Sequence, residues 1–215
     1  MRVVDTRTLK VRGLYIRPIV VAELPAVARL YLEAFPNSVR SRLGAAAVVK
    51  YLERQLTLRP TVCALGAERG GELLGFGFGG IYGEEVGGFI VNNLPLVAAR
   101  LLARPWLVTE LELRGRLLWK WRAWRAPKRP AEPAARLYEV FSLAVKAGAR
   151  NTGIGKALMA QQEVFALAQD CAAIRLMTPT YDPNTLAFYE RIGFQKQLEP
   201  AGTWTGQMLK PLKEV

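Results

Sequence analysis

The chain has no histidine among its 215 residues. That absence excludes Ser-His-Asp triads, histidine general bases and histidine-ligated metals together. Proton transfer is left to carboxylates, Tyr, Lys, Cys, water or backbone. Cysteine is scarce as well: Cys63 and Cys171 stand far apart, each inside an apolar segment. No Cys-x-x-Cys pair frames a structural zinc, so no metal is expected. The two cysteines read as buried thiols of a reducing cytoplasm, with a disulfide as the other option. No apolar run reaches the ~20 residues of a membrane span, and the charged N-terminus lacks the hydrophobic segment of a signal peptide, so a cytoplasmic location is expected. Acidic residues are outnumbered, 18 Asp and Glu against 30 Lys and Arg, for a formal net charge of +12. Such a field suits nucleic acid, an anionic membrane surface or an anionic small ligand; no nucleic-acid recognition motif accompanies it.

The length fits one domain with a substantial core. Periodicity predicts a strand over residues 9–17, then helices over 21–35 and 43–56 separated by a break at Pro36, Asn37 and Ser38. Pro25 falls in the first turn of the earlier helix, where proline is tolerated. Strands over 61–67 and 72–82 flank a hairpin turn at Arg69-Gly70-Gly71. The second of them carries Gly75, Gly77, Gly79 and Gly80, which marks either bulges and close approach by another group or a weakly packed edge. After residues 84–133 come a strand (138–145), a helix (156–169), a strand (173–178), a short helix (184–192) and a final strand pair (194–198 and 203–209).

The most informative stretch runs from Phe141 to Lys156. An apolar strand enters a loop ending Arg150-Asn151-Thr152-Gly153-Ile154-Gly155, and a helix begins there. Backbone N–H groups at a helix N-terminus bind phosphate or pyrophosphate, and glycine lets a ligand approach the backbone. A P-loop is a poor match, because Gly155-Lys156 is followed by Ala157 and not by Ser or Thr. A dinucleotide fingerprint is also weak, because Leu158 stands where the third small residue belongs.

The hexapeptide instead resembles the pyrophosphate loop of the GNAT superfamily of N-acetyltransferases, Gln/Arg-x-x-Gly-x-Gly/Ala. A second segment, Ala187-Phe188-Tyr189-Glu190-Arg191-Ile192-Gly193-Phe194, resembles the end of that superfamily's later motif, Asn-x-x-Ala-x-x-Phe-Tyr-Glu-Lys-x-Gly-Phe. The front of the motif departs: Asp182 takes the usual place of the asparagine, and Asn184 lies two residues closer to the tyrosine. The resemblance covers residues 137–208 well and the N-terminal part more loosely.

The resemblance implies a mixed α/β (α+β) GNAT fold. Its central mixed sheet would have six to seven strands, splayed between the fourth and fifth, with helices on both faces. One domain would span residues 1–215, with a helical insertion over 84–133 before the fourth strand. The pantetheine arm of acetyl-CoA would lie in the splay and pair with Leu143, Ala144 and Val145, and the N–H of Leu143 or a neighbour would polarise the thioester carbonyl. The pyrophosphate would sit on the N–H groups of Asn151, Thr152, Gly153, Ile154 and Gly155, with Arg150 and Lys156 adding charge. Phe188, Tyr189 and Asn184 would contact the coenzyme. The implied activity is acetyl transfer to a primary amine of a small molecule, an amino sugar or a protein; a coenzyme A-binding sensor without turnover is the alternative.

Two proton transfers are needed. Tyr189 is the candidate acid, against a reading as a packing aromatic beside Phe188. Glu139 is the candidate base, against a reading as a solvent-facing strand residue. Glu84, Glu85, Glu110 or Glu112 of the insertion would be the alternative source. Asn184 would either orient the coenzyme amide or cap its short helix. Within the insertion, Leu113, Leu117, Leu118, Trp121 and Trp124 alternate with Arg114, Arg116, Lys120, Arg122 and Arg125, which predicts a basic amphipathic helix. A core-packing helix, a lid, a homodimer interface and contact with an anionic membrane surface through 111–125 all fit it. The segment 35–44 and the long insertion are similar to bacterial members associated with sugar or surface-polymer metabolism.

Overall fold

The computed structural model describes residues 9–11, 13–58, 61–83, 102, 135–178, 182–198 and 202–212. The expected helix over 111–125 and the alternative glutamates Glu84, Glu85, Glu110 and Glu112 lie outside the described residues.

Residues 9–17 form two strands where one was expected. The chain turns at Gly13 (φ +77°) between β1 (Leu9–Val11) and β2 (Leu14–Pro18). A 3₁₀ turn at Val21–Glu23 leads into α1 (Leu24–Ala34), whose Leu24, Val27, Ala28, Leu30 and Tyr31 are buried along one face. The short α2 (Val39–Leu43) is capped by Ser38 Oγ, which accepts from the Ser41 N–H at 3.1 Å, and stops at Gly44. α3 (Ala45–Leu58) follows. β3 (Cys63–Arg69) and β4 (Glu72–Ile81) are joined by Gly70 and Gly71. Both glycines have positive φ, +59° and +81°, as a tight primed hairpin turn requires. The C-terminal half holds β5 (Leu137–Val145), a 3₁₀ turn at Ala147–Ala149, α4 (Ile154–Ala168), β6 (Ala173–Met177), α5 (Pro183–Arg191), β7 (Gln195–Leu198) and β8 (Trp204–Pro211).

The strands form one mixed sheet in the order β1-β2-β3-β4-β5-β6-β8-β7. The split at Gly13 brings the count among the described residues to eight. Among the described strands only β5 and β6 run parallel; the other neighbours are antiparallel. The core lies in two layers. On one face Leu24, Val27, Tyr31 and Leu52 pack over Phe76 and Phe78. On the other, Leu158 and Met159 of α4 and Tyr189 of α5 pack with Tyr138 and Ile174.

β4 explains both layers. Its Phe76 and Phe78 point under α1 and α3, and the intervening glycines leave the opposite face bare. A Cβ at Gly77 would stand 2.4 Å from Gln162 Nε2 of α4, and one at Gly79 would stand 2.4 Å from the Tyr138 hydroxyl. The glycine-rich strand is therefore a close-approach strand, not a weakly packed edge. Tyr138 donates to Gln162 Oε1 at 3.2 Å across that contact.

The sheet is not continuous. β5 pairs with β4 along its whole length, with a bulge at Phe141: Phe78 faces Ser142 while Gly79 faces Val140. β5 pairs with β6 only from Leu137↔Ala173 to Val140↔Leu176. A bulge bends its strand and sharpens the local twist. Beyond it β5 follows β4 and leaves β6. The two strands that part are the ones the resemblance counts as fourth and fifth.

Candidate active site

Past Val140, one edge of β5 opens into a cleft. The Lys146 N–H donates to the Leu74 carbonyl at 2.8 Å. Antiparallel alternation from that bond aims the backbone groups of Ala144 and Ser142 at β4, and those of Val145 and Leu143 away from it. The Val145 carbonyl accepts from Arg150 Nε at 3.3 Å. The Leu143 N–H and C=O thus face the gap, where an extended chain with amide groups would pair as another strand does. Ala144, one of the three residues expected to pair there, directs its own backbone groups to β4.

At the end of β5 the backbone is arranged for an anion. Asn151 (φ +62°) and Gly153 (φ +87°) are left-handed. The Thr152 hydroxyl donates to the Ala149 carbonyl at 2.7 Å and pins the loop. The first carbonyl engaged by α4 is that of Gly153, taken by the Ala157 N–H at 2.9 Å. Among the described residues, no backbone carbonyl accepts from the N–H groups of residues 151–156. These donors stand at the positive end of a 15-residue helix, with Arg150 and Lys156 exposed beside them. Such a set fits a diphosphate.

The two glycines of the loop do different work. Gly153 supplies the left-handed turn, and a Cβ there would meet nothing within 4 Å. A Cβ at Gly155 would lie 3.3 Å from Phe188 Cζ and 3.8 Å from Val145 Cγ2. Gly155 therefore lets α5 close against the loop, and it is there that the two sequence motifs touch.

Phe188 stacks edge-on against Tyr189, with ring centroids 5.1 Å apart, and Tyr189 stacks in the same way against Phe194 at 5.5 Å. Tyr189 is buried, and burial pushes its phenol up. Among the described residues, no group hydrogen-bonds its hydroxyl. The expectation that Asn184 caps α5 is corrected: the cap is Asp182. Its carboxylate accepts from the Asn184 N–H at 3.1 Å and the Thr185 N–H at 3.4 Å, and also takes the Thr185 hydroxyl. The Thr185 hydroxyl, before the two N–H groups, holds the Asp182 carboxyl below its usual range. Asn184 lies inside the helix and is exposed, because Pro183 already occupies the first helical turn.

Glu139 is buried and not solvent-facing. It stands opposite Arg175 in the parallel register, with Arg175 Nε 3.5 Å from its Oε1. The Arg175 guanidinium lies over the Tyr82 ring at 3.9 Å. Glu139 and Tyr138 project to opposite faces of β5, and Tyr138 belongs to the layer that holds Tyr189. The candidate base and candidate acid thus lie on opposite sides of the sheet. Cys63 and Cys171 are buried and form no disulfide. Burial pushes the Cys63 thiol up to about 12, so it is not a ready nucleophile.

Residues 24–194 match the model of the Acetyltransferase (GNAT) family. The chain belongs to this family. Solved GNAT-like structures agree in fold. PaiA N-acetyltransferase from Thermoplasma acidophilum, in complex with coenzyme A, is 14% identical with a TM-score of 0.55, over 92% of this chain and 98% of its own. The ribosomal-protein-S18-alanine N-acetyltransferase from Escherichia coli is 12% identical with a TM-score of 0.56, over 94% and 96%. The ribosomal-protein-alanine N-acetyltransferase from Brucella melitensis is 20% identical with a TM-score of 0.52, over 92% and 99%. At these identities the likeness is one of fold. None of the curated proteins compared matches the chain.

Within this GNAT domain the structure adds neighbours that the sequence did not disclose. Arg175 beside Glu139 depends on the parallel register of two distant strands. The Asp182 cap was legible in principle, since Asp-Pro-x-Thr is a helix-start pattern. Between α4, the end of α5 and β8 lies a cavity of about 400 Å³ lined by Lys156, Glu163, Arg191 and Lys210 among others. Lys210 pairs with Glu163 at 2.6 Å.

Proposed function

We propose that this chain is an acyl-CoA-dependent N-acyltransferase. It transfers acetyl from acetyl-CoA to a primary amine of a small molecule, an amino sugar or a protein by direct attack. The observation that carries the reading is the departure of β5 from β6 after Val140, with the N–H groups of residues 151–156, which no backbone carbonyl of the described residues engages, at the end of the same strand. A cleft with a free strand edge suits a pantetheine arm, and the loop suits its pyrophosphate. That the Thermoplasma acidophilum protein of the same fold is in complex with coenzyme A supports this.

In this reading the Leu143 carbonyl pairs with the arm, Ala144 and Val145 continue the strand beside it, and the Leu143 N–H polarises the thioester carbonyl. Residues 151–155 hold the diphosphate, with Arg150 and Lys156 adding charge and Phe188 closing the loop. Glu139 takes a proton from the attacking amine, directly or through water. Tyr189, kept protonated by burial, donates to the sulfur as the C–N bond forms and the C–S bond breaks. Asn184, exposed near the start of α5, is retained as a coenzyme contact. The competing reading is a coenzyme A sensor without turnover. A carboxylate and a phenol on the two faces of the sheet, available for the two proton transfers, favour turnover.

The proposal includes a single domain over 1–215 with residues 84–133 shaping the acceptor pocket, a cytoplasmic location, and a homodimer or membrane-surface role for 111–125. Among the described residues, no helix is long and apolar enough to cross a membrane. The test is a panel of primary amines with acetyl-CoA, reading thiol release, together with calorimetry of coenzyme A. Thiol release confined to one acceptor class supports the enzyme. Coenzyme binding with no release supports the sensor, and no binding of either coenzyme form overturns both.

A further inference from the structure

Just past the last pair of β5 and β6 stand two buried hydroxyls. Ser142 and Thr178 each stand two residues beyond the last pair, Val140↔Leu176. Each is 7% exposed, and among the described residues neither hydroxyl oxygen has a hydrogen-bond partner. Buried hydroxyls are nearly always paired, so an unpaired one calls for a cause.

The two face opposite ways. Ser142 shares its face of β5 with Ala144, in the layer beneath α1 and α3. Thr178 continues the face of β6 that carries Ile174 and Leu176, and those residues pack in the layer that contains Tyr189. Its backbone N–H is held by the Gly206 carbonyl at 2.9 Å, which fixes where the side chain stands. A threonine hydroxyl rotates, so it can accept from a thiol or donate to a thiolate.

We propose that Thr178 is a further catalytic residue, its hydroxyl hydrogen-bonding the sulfur of the coenzyme on the Tyr189 side of the cleft. The inference rests on the coenzyme reading given above. The division of labour follows from the faces. The Leu143 N–H lies in the plane of the sheet and addresses the carbonyl oxygen. Glu139 lies on the opposite face and addresses the amine. The sulfur, which takes the electron pair of the breaking C–S bond, is left to the face that Thr178 and Tyr189 share. There Tyr189 supplies the proton and the Thr178 hydroxyl stabilises the negative charge before the proton arrives.

The test needs no acceptor, because coenzyme A itself is the probe. Wild type, Thr178→Val and Thr178→Ser are saturated with coenzyme A at one fixed pH, about 8.5, near the ordinary pKa of a thiol. The thiolate is read by ultraviolet difference absorbance, and affinity by calorimetry. Valine keeps the shape and removes the hydroxyl; serine keeps the hydroxyl. The expected result is a thiolate-to-thiol ratio of bound coenzyme roughly tenfold lower in Thr178→Val, as fits loss of a hydrogen bond to a charged atom. Thr178→Ser should match wild type, and the valine variant should melt no lower than wild type. Thr178→Ala must repeat the drop, which guards against a packing fault of valine. An unchanged ratio in valine and alanine variants that bind coenzyme A normally overturns the role of Thr178 and leaves the coenzyme reading intact. A weaker affinity with an unchanged ratio also overturns it. A wild-type protein that binds no coenzyme A overturns the coenzyme reading, and Thr178 falls with it.

Discussion

Replacing each loop glycine by alanine separates the two jobs assigned to them. At Gly153 (φ +87°) an added Cβ meets nothing within 4 Å, so the whole cost is conformational. Holding an L-residue in the left-handed region costs about 1–2 kcal/mol. At Gly155 the added Cβ lies 3.3 Å from Phe188 Cζ and 3.4 Å from its Cε2. Either the ring gives by a few tenths of an ångström or the loop does. The ring is itself braced on Tyr189 at 5.1 Å, so part of the displacement falls on the N–H groups that face the ligand. We expect Gly155→Ala to raise the Kd for coenzyme A roughly fivefold to tenfold, about 1–1.4 kcal/mol. Adding Phe188→Leu withdraws the ring atoms in question and should bring the Kd back to within about twofold of Phe188→Leu alone. Gly153→Ala should lose stability in denaturant unfolding by the amount above, and Phe188→Leu should add to it independently, within about 0.5 kcal/mol. Calorimetry and unfolding of the three single and two double variants complete the two cycles. If Phe188→Leu rescued Gly153→Ala as well as Gly155→Ala, or rescued neither, the steric account of Gly155 would be wrong.

Other expectations follow from the same contacts. Tyr189→Phe should cut turnover at least tenfold while leaving coenzyme affinity and melting temperature near wild type, since among the described residues nothing hydrogen-bonds its hydroxyl; an unchanged rate removes it as the acid. Glu139→Gln should lower kcat about a hundredfold or more, the usual range for a general base, with coenzyme Kd unchanged in calorimetry. Gly77→Ala should cost about 1–3 kcal/mol by overpacking, because its Cβ would stand 2.4 Å from the buried Gln162 amide; urea unfolding reads this, and Gln162→Ala should relieve it. Glu23 is held below its usual value, first by the hydrogen bond from Arg17. A depressed folded-state pKa stabilises above the unfolded value, about 4.3, and that stability is lost as pH falls through the folded one. Glu23→Gln should therefore lower stability at neutral pH and flatten the acid limb of a melting-temperature profile below about pH 4.3.

Much of the candidate site was legible because it is local. The loop at 150–155, the motif at 187–194 and the strand between Tyr138 and Val145 are each read from neighbours in the chain. What escaped depends on distant neighbours. No pattern within residues 137–145 announces that pairing with β6 ends at Val140; it ends there because of a one-residue bulge at Phe141, set by register against β4. The alternation of Phe and Gly in β4 was visible, but its reason, Gln162 and Tyr138 pressed on the bare face, lies far along the chain. Arg175 beside Glu139 and Thr178 just past the last β5–β6 pair likewise follow from strand order. Of the two roles open to Asn184, coenzyme contact or cap, the cap is excluded. The carboxylate two residues earlier forms the Asx cap.

Four rungs, from Leu137↔Ala173 to Val140↔Leu176, stitch one panel of the sheet, β1 through β5, to the other, β6, β8 and β7. Past them the seam is unsewn. An amide-bearing filament laid along Leu143 would extend the stitching from one side, so that the mechanical integrity of the molecule would be partly on loan from its cargo. Loading would then stiffen a joint, with no part needing to travel, and slowed deuterium uptake at the Leu143 amide would be its signature.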